Sequence, residues 1–282
     1  MDYTIRMRNG SLIDLKEPMV MGIINATPDS FYSGSRTPGR EGVRARASRL
    51  LAEGAACLDV GGYSSRPGCD DIPASEEWRR LDMALSEIRD VAGNDVAISV
   101  DTFRADVALK CVERWGVDII NDISGGMADP EMIRAVAESG AAYVLMHMRG
   151  TPQTMTSLTD YDDVTSEVVG ALAFRLAELR AAGVADVIVD PGFGFAKTTE
   201  QNYQLLDRLE EFRNLECPIL AGLSRKSMIW RPLGITPDES LAGTTALNMA
   251  ALMKGASILR VHDVKEAVQT VELYKLMCGV GV

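Results

Sequence analysis

Asp101, Asn121 and Asp190 each sit at the end of a short apolar run. Polar groups in such places must be paired or multiply hydrogen-bonded. A carboxylate facing a flat N–H/NH2 edge makes a bidentate pair, so together the three suit the reading of a pterin- or guanine-like heterocycle. The alternative is that Asp101 or Asp190 caps a following helix or loop, a frequent role for aspartate. Met146 and Phe195 are placed to sandwich a ring or to serve as plain core. A second set is cationic. Ser64, Ser65 and Arg66 follow Gly61-Gly62, where glycines admit backbone N–H groups to an anion and hydroxyl plus guanidinium complete a clamp. Arg260 and His262 lie two apart on one run and share a side. With Arg66, these donors exceed the needs of a single phosphate and suit a diphosphate. Asn25 offers an uncharged oxygen to a Mg2+ that keeps waters and takes phosphate ligands, or else satisfies its own loop. Lys226, just past another run, is either a Schiff-base nucleophile or an electrostatic contact. No G-x-x-x-x-G-K-S/T or G-x-G-x-x-G string is present, which excludes P-loop and dinucleotide-binding readings.

All these residues lie in polar, glycine-rich or cationic clusters, and there are eight: 25–31, 59–68, 99–102, 121–126, 146–150, 190–197, 222–227 and 260–263. Their anchors recur about every 34 residues, close to one strand-helix-strand unit. Continuous apolar runs at 20–25, 57–60, 96–101, 119–121, 142–146, 187–190, 218–221 and 257–261 read as parallel strands buried on both faces. Eight repeats of strand, functional loop and helix predict an α/β fold, a (β/α)8 TIM barrel whose strand ends converge on one active face. Asp59 and Asp101, acids ending apolar runs, need a reason for being there.

Before the barrel, residues 1–16 predict an N-terminal β-hairpin turning at Asn9-Gly10 through a type I′ turn and plugging the bottom of the barrel. Helical stripes occur at Val43, Ala47, Leu50 and Leu51 before Gly54, and from Val164 to Leu179. Others run through Leu205, Leu206, Leu209 and Phe212, through Thr245, Met249 and Leu252, and from Val264 to Tyr274; all read as core. Asp129-Pro130 reads as N-cap and first residue of another helix. The long loop from Thr27 to about Glu41 reads as a mobile lid. No linker divides residues 1–282, which predicts a single domain.

With 46% hydrophobic and 24% charged residues, the 282-residue chain has the composition of a soluble globular protein. A net charge of −11 argues against nucleic acid and anionic membranes as partners. It does not exclude a small anionic substrate. Arg66, Lys197, Arg225, Lys226, Arg260 and His262 all fall inside the clusters, and read together they build a local anion site. No run is long enough to span a bilayer, and the start lacks the basic and apolar regions of a signal peptide. The five cysteines are scattered and never paired as C-x-x-C, the pattern of reduced thiols in a cytoplasmic protein.

The ordered strings from Asn25-Ala26-Thr27-Pro28-Asp29-Ser30-Phe31 through GGYSSRPG, SVDT, NDISGG, MHMRG, DPGFGFAK and GLSRKS to RVHD resemble those of the dihydropteroate synthases, pterin-binding transferases of folate biosynthesis and the targets of sulfonamides. The resemblance runs from about residue 20 to 264. It implies condensation of 6-hydroxymethyl-7,8-dihydropterin diphosphate with 4-aminobenzoate to 7,8-dihydropteroate and diphosphate, on a TIM barrel that is a homodimer. It implies loss of diphosphate first, then capture of the pterin cation by the amine. It assigns the pterin to Asp101, Asn121, Met146, Asp190, Phe195, Gly222 and Lys226. The diphosphate falls to Asn25, Ser65, Arg66, Arg260 and His262, with Mg2+ on Asn25. Phe31, Arg66, Pro67, Phe195, Lys226 and Ser227 surround 4-aminobenzoate under the first two loops, and Asp101, Asp190, Lys226 and Arg260 carry the catalysis. No covalent nucleophile is needed, which demotes the Schiff-base reading of Lys226.

Two departures stand out. Tyr63-Ser64-Ser65 replaces a frequent Glu-Ser-Thr, and Tyr32-Ser33-Gly34-Ser35 stands where the family often has an aspartate-glycine pair. The rival readings are a pterin-dependent methyltransferase acting with a corrinoid protein, which needs no diphosphate site, and a catalytically silent pterin-binding paralogue.

Overall fold

The computed structural model describes residues 3–27, 39–64 and 71–279. Phe31 and most of the expected lid, together with Ser65, Arg66 and Pro67, lie outside the described residues.

A short antiparallel hairpin, β1 (Thr4–Arg6) and β2 (Leu12–Asp14), precedes eight parallel strands. These are β3 (Met19–Asn25), β4 (Cys57–Gly61), β5 (Ala97–Asp101), β6 (Ile119–Asp122), β7 (Ala142–Met146), β8 (Val187–Asp190), β9 (Leu220–Ala221) and β10 (Ile258–Val261). They pair in the order β8-β7-β6-β5-β4-β3-β10-β9. A parallel bridge between Val189 and Ile219 joins the two outer strands, so the sheet is a nearly closed barrel. Outside it run α1 (Arg40–Ala52), α2 (Ala74–Ala92), α3 (Ala105–Trp115), α4 (Met132–Ser139), α5 (Val164–Ala181), α6 (Thr199–Asp207), α7 (Ser227–Leu233), α8 (Leu241–Met253) and α9 (Val264–Cys278).

Because strand side chains alternate between faces, each strand feeds two apolar layers. Val20, Leu58, Val60, Ile98, Val100 and Leu259 face outward into the layer packed by the helices. Met21, Cys57, Ile119, Val144, Ile188 and Ile258 fill the lower lumen, and the hairpin residues Ile5, Met7 and Leu15 join them. The hairpin therefore plugs the bottom, as its sequence predicts.

Three local expectations are corrected. Met7 N–H donates to Ser11 O at 2.9 Å and Gly10 N–H to Met7 O at 3.0 Å. Gly10 has φ 88° while Asn9 is not among the residues with positive φ. That is a three-residue loop with glycine at the left-handed bulge position, not a type I′ turn, which needs positive φ at both central residues. The residue directly before α4 is Glu131, not Asp129, which instead holds the turn leading into it. Asp129 Oδ2 accepts from Ala105 N–H at 2.8 Å, at the start of α3, and its Oδ1 from Glu131 N–H at 3.0 Å. Finally, α8 buries Thr244, Asn248, Ala251 and Leu252, whereas Thr245 and Met249 line a groove of about 760 Å3 against α9. The helix LAGTTALNMAALM is small or apolar almost all round, so its pattern does not select a face.

Candidate active site

Two residues up each strand the lumen changes character. Asp59 follows Cys57 on the inward face of β4 and is fully buried. Its Oδ2 accepts from Arg260 Nε at 2.6 Å and from Asn121 Nδ2 at 3.2 Å. Arg260 Nη2 also donates to Asp101 Oδ2 at 2.7 Å. One guanidinium thus ties together β4, β5 and β10, and Asn121 brings in β6. Burial would lower the arginine, yet Asp59 and Asp101 hold it above its ordinary value. Burial pushes Asp101 up to about 7, with Arg260 pulling it down and Asp59 pushing it further up. Asp101 caps no helix: the residue before α3 is Arg104, with no side-chain cap.

Opposite lies a second group. Asp190 is 6% exposed at the end of β8. Its Oδ1 accepts from Gly192 N–H at 2.7 Å, so the loop-holding role takes one oxygen and leaves Oδ2 aimed toward Gly222. A β-carbon on Gly222 would stand 3.9 Å from both Asp190 Oδ2 and Lys226 Nζ. Lys226 donates to Phe193 O and lies 4.7 Å from the centre of the Phe195 ring, a cation–π distance. Burial lowers its amino group to about 8 and Asp190 opposes the shift, with Arg260 and Asp101 also in electrostatic reach. Burial likewise raises Asp190, countered first by Lys226. Met146, buried and paired with Asp190 across the strands, belongs to neither apolar layer. Ser227 opens α7 directly after Lys226.

Asn25 ends β3 beside Gly61, and no described residue hydrogen-bonds its amide. The backbone of His262 is fixed from two sides: its N–H donates to Ser224 Oγ at 3.1 Å, and its carbonyl accepts from Arg46 Nη2 of α1 at 2.7 Å.

The described candidates therefore occupy the strand ends, but two of the six clustered cations do not contribute to an anion site. Arg225 is a bidentate partner of Asp263, at 3.0 and 2.8 Å, and also binds Asp238 at 2.7 Å. Lys197 is 8% exposed and turns inward to His147 Nδ1 at 3.1 Å. The reason is geometric: a cation near a strand end reaches the mouth only if its side chain points there. Asp59 is the residue that sequence reasoning flagged without giving it a part; an acid inside Cys-Leu-Asp-Val was the available signal. Among the described residues no group of three or more His, Cys, Asp or Glu is placed to hold a metal ion, and no helix is long and apolar enough to cross a membrane.

Residues 21–262 match the family model described as pterin binding enzyme. The chain is 41% identical over 266 residues to the dihydropteroate synthase of Escherichia coli K12, covering 94% of this chain and 93% of that protein. Among solved structures, Xanthomonas albilineans dihydropteroate synthase with 4-aminobenzoic acid superposes with a TM-score of 0.89 at 38% identity, covering 99% of this chain and 100% of the other. Yersinia pestis dihydropteroate synthase in a sulfonamide complex gives a TM-score of 0.90 at 37% identity, with 99% of each chain covered.

Proposed function

We infer the function from one premise: this chain belongs to the pterin-binding enzyme family, as a dihydropteroate synthase. It is a transferase that joins 6-hydroxymethyl-7,8-dihydropterin diphosphate to 4-aminobenzoate, giving 7,8-dihydropteroate and diphosphate. The observation that carries the reading at residue level is the facing of two charged groups across the barrel mouth: Asp59, Asp101, Asn121 and Arg260 on one side, Asp190 and Lys226 on the other.

In this reading Asp101, Asn121, Asp190 and Lys226 hold the pterin edge, with Met146 and Phe195 against its faces and Gly222 leaving room. The bond between the pterin methylene and the diphosphate breaks first, its electron pair leaving with the diphosphate. Arg260, His262, Ser65, Arg66 and Asn25 take up that charge, while Asp101 and Asp190 favour the cation left on the ring. The amine nitrogen of 4-aminobenzoate, lodged among Phe31, Arg66, Pro67, Phe195, Lys226 and Ser227, then bonds to the methylene and releases its proton to solvent.

The donor set at Asn25 fits a Mg2+ that arrives with the diphosphate: one amide oxygen with no described partner suits a hard cation that keeps waters and phosphate oxygens. When bound, such an ion neutralises leaving-group charge. The protein is further read as a homodimer. Support comes from the groove lined by Leu241, Thr245, Met249 and Leu273 and from exposed Leu276 and Met277 further along α9, more apolar surface than scattered single residues supply. Sedimentation of the purified chain tests this. Unpaired Cys57, Cys111, Cys217 and Cys278 suit a cytoplasmic location.

The reaction is tested by mixing purified protein with both substrates and Mg2+. Release of diphosphate together with dihydropteroate is expected. Absence of diphosphate release overturns the reading, and also separates it from a methyltransferase or a silent binder.

A further inference from the structure

The loop following β8 carries Phe195 and folds back on itself. Phe195 N–H donates to Gly192 O at 3.1 Å, and Gly192, Gly194 and Ala196 stand at φ 70°, 78° and 49°. The left-handed region is open to glycine but costs an alanine roughly 1 kcal/mol, so the loop needs an outside hold. Part of it is Tyr161, whose hydroxyl donates to Ala196 O at 3.0 Å. Another part is Asn202, whose Oδ1 accepts from Gly194 N–H at 2.7 Å, and a third is Lys197. Its Nζ contacts Gly192 O at 3.0 Å, Phe195 O at 3.0 Å and His147 Nδ1 at 3.1 Å.

An ammonium has three protons and no acceptor, and two of these neighbours are carbonyl acceptors. Burial lowers the Lys197 amino group to about 7 and keeps His147 neutral, at about 3; with Lys197 protonated, the contact makes His147 the tautomer that carries its proton on Nε2. His147 is itself 7% exposed and locked from behind, since its backbone N–H donates to Asp190 O at 3.0 Å. The two loops pass so closely that a β-carbon on Gly192 would collide with His147 O.

We propose that Lys197 and His147 are positioning residues, a buried post joining the loops after β7 and β8 that holds the Phe195 ring against Lys226 and so shapes the 4-aminobenzoate end of the site. This rests on the synthase reading above. The link to substrate is short. Phe193 O, between the two carbonyl groups and glycines the post controls, accepts from Lys226 Nζ, so a loop that relaxes moves ring and amine together. The pterin keeps Asp101 and Asn121, which stand on other strands.

Lys197→Met removes all three donors and keeps nearly the same length. His147→Leu removes the acceptor, whereas His147→Asn restores one near the place of Nδ1. With both substrates varied, Lys197→Met and His147→Leu are expected to raise KM for 4-aminobenzoate about tenfold or more, since small misplacements in a site have effects of that order. KM for the pterin diphosphate should rise by a clearly smaller factor, because the pterin shares Phe195 and Lys226 with the amine but keeps Asp101 and Asn121, and His147→Asn should recover most of the loss. The double variant should be no worse than either single one, as expected of partners in one contact. Equal rises in both KM values, or no change, in variants that melt like wild type overturns the proposal. A second readout needs no turnover. With only two histidines in the chain, ring 15N spectra should show one with unprotonated Nδ1, and Lys197→Met should shift that signal. A protonated Nδ1 in the wild type, or no shift in the variant, overturns the post. Missing synthase activity with the 15N signature intact would instead count against the functional reading alone.

Discussion

The lower and upper halves of the barrel lumen are built from the same strands, one alternate position apart, and are opposites. Below, Met21, Cys57, Ile119, Ile188 and Ile258 pack with the hairpin into an apolar plug. Above, Asp59, Asp101, Asn121 and Arg260 are joined through charged hydrogen bonds, and Asp190, held by the Gly192 N–H, lies opposite. The difference teaches how this barrel separates two demands. Apolar packing at the strand starts fixes the register, and that register presents charged groups at the strand ends with little freedom to relax. Burying an arginine between carboxylates is a poor way to gain stability, because desolvation offsets much of the attraction. Its value is preorganisation at the mouth. Mutations in the two halves should therefore fail in different ways.

The largest effect belongs to the upper half. Arg260→Met should lower kcat/KM by roughly a thousandfold, the order found when one preorganised charge donor is removed. The folded protein should still melt in a single transition, with some loss because Asp59 is left buried without its 2.6 Å partner. Steady-state kinetics beside calorimetry checks both. If turnover survives and only the melting temperature drops, Arg260 belongs with the plug and the division between the halves is wrong.

Next comes the lower half. Ile188 is fully buried in the plug, and Ile188→Ala should cost about 2–5 kcal/mol through lost burial and the cavity left behind. Denaturant unfolding measures the cost. At a temperature where the variant is folded, its kcat/KM should stay within about twofold of wild type, since a site that keeps its geometry keeps its effective concentration of groups. A loss comparable to that of Arg260→Met would show that the plug tunes the chemistry and does more than carry it.

How much of this division was legible beforehand follows from the kind of signal each residue leaves. Parallel strands buried on both faces read as unbroken apolar runs, so the runs at 142–146 and 187–190 coincide with β7 and β8. Asp101 and Asp190 were visible because a charge ending such a run is rare. Asp59 was visible for the same reason, but its partner Arg260 lies 201 residues away, and no local pattern encodes that pairing. The contact between Lys197 and His147, 50 residues apart, was hidden likewise. In the hairpin the pair Asn9-Gly10 is compatible with two turn types, and only the pairing of Met7 with Ser11 chooses. For α8 the obstacle was a helix with no distinct polar face.

The smallest effect sharpens the comparison within the upper half, by asking whether its charges act as charges. Burial holds the Lys226 amino group near 8, below its ordinary value of 10.5, with Asp190 opposing. Below about pH 8 the group is protonated and able to donate and to face an aromatic ring as a cation; above it the charge is lost. In the free enzyme kcat/KM for the pterin diphosphate should therefore fall above about pH 8, at most tenfold per unit for a single ionisation. Lys226→Arg keeps a charge that does not titrate in this range but replaces a compact ammonium with a planar fork. Its maximal rate should be lower, yet its alkaline limb should move to higher pH. A limb that stays near 8 in Lys226→Arg would assign the titration to another group. Lys226 would then serve the site by its shape and its contact with Phe193 O, and the upper half would resemble the lower more closely than its charges suggest.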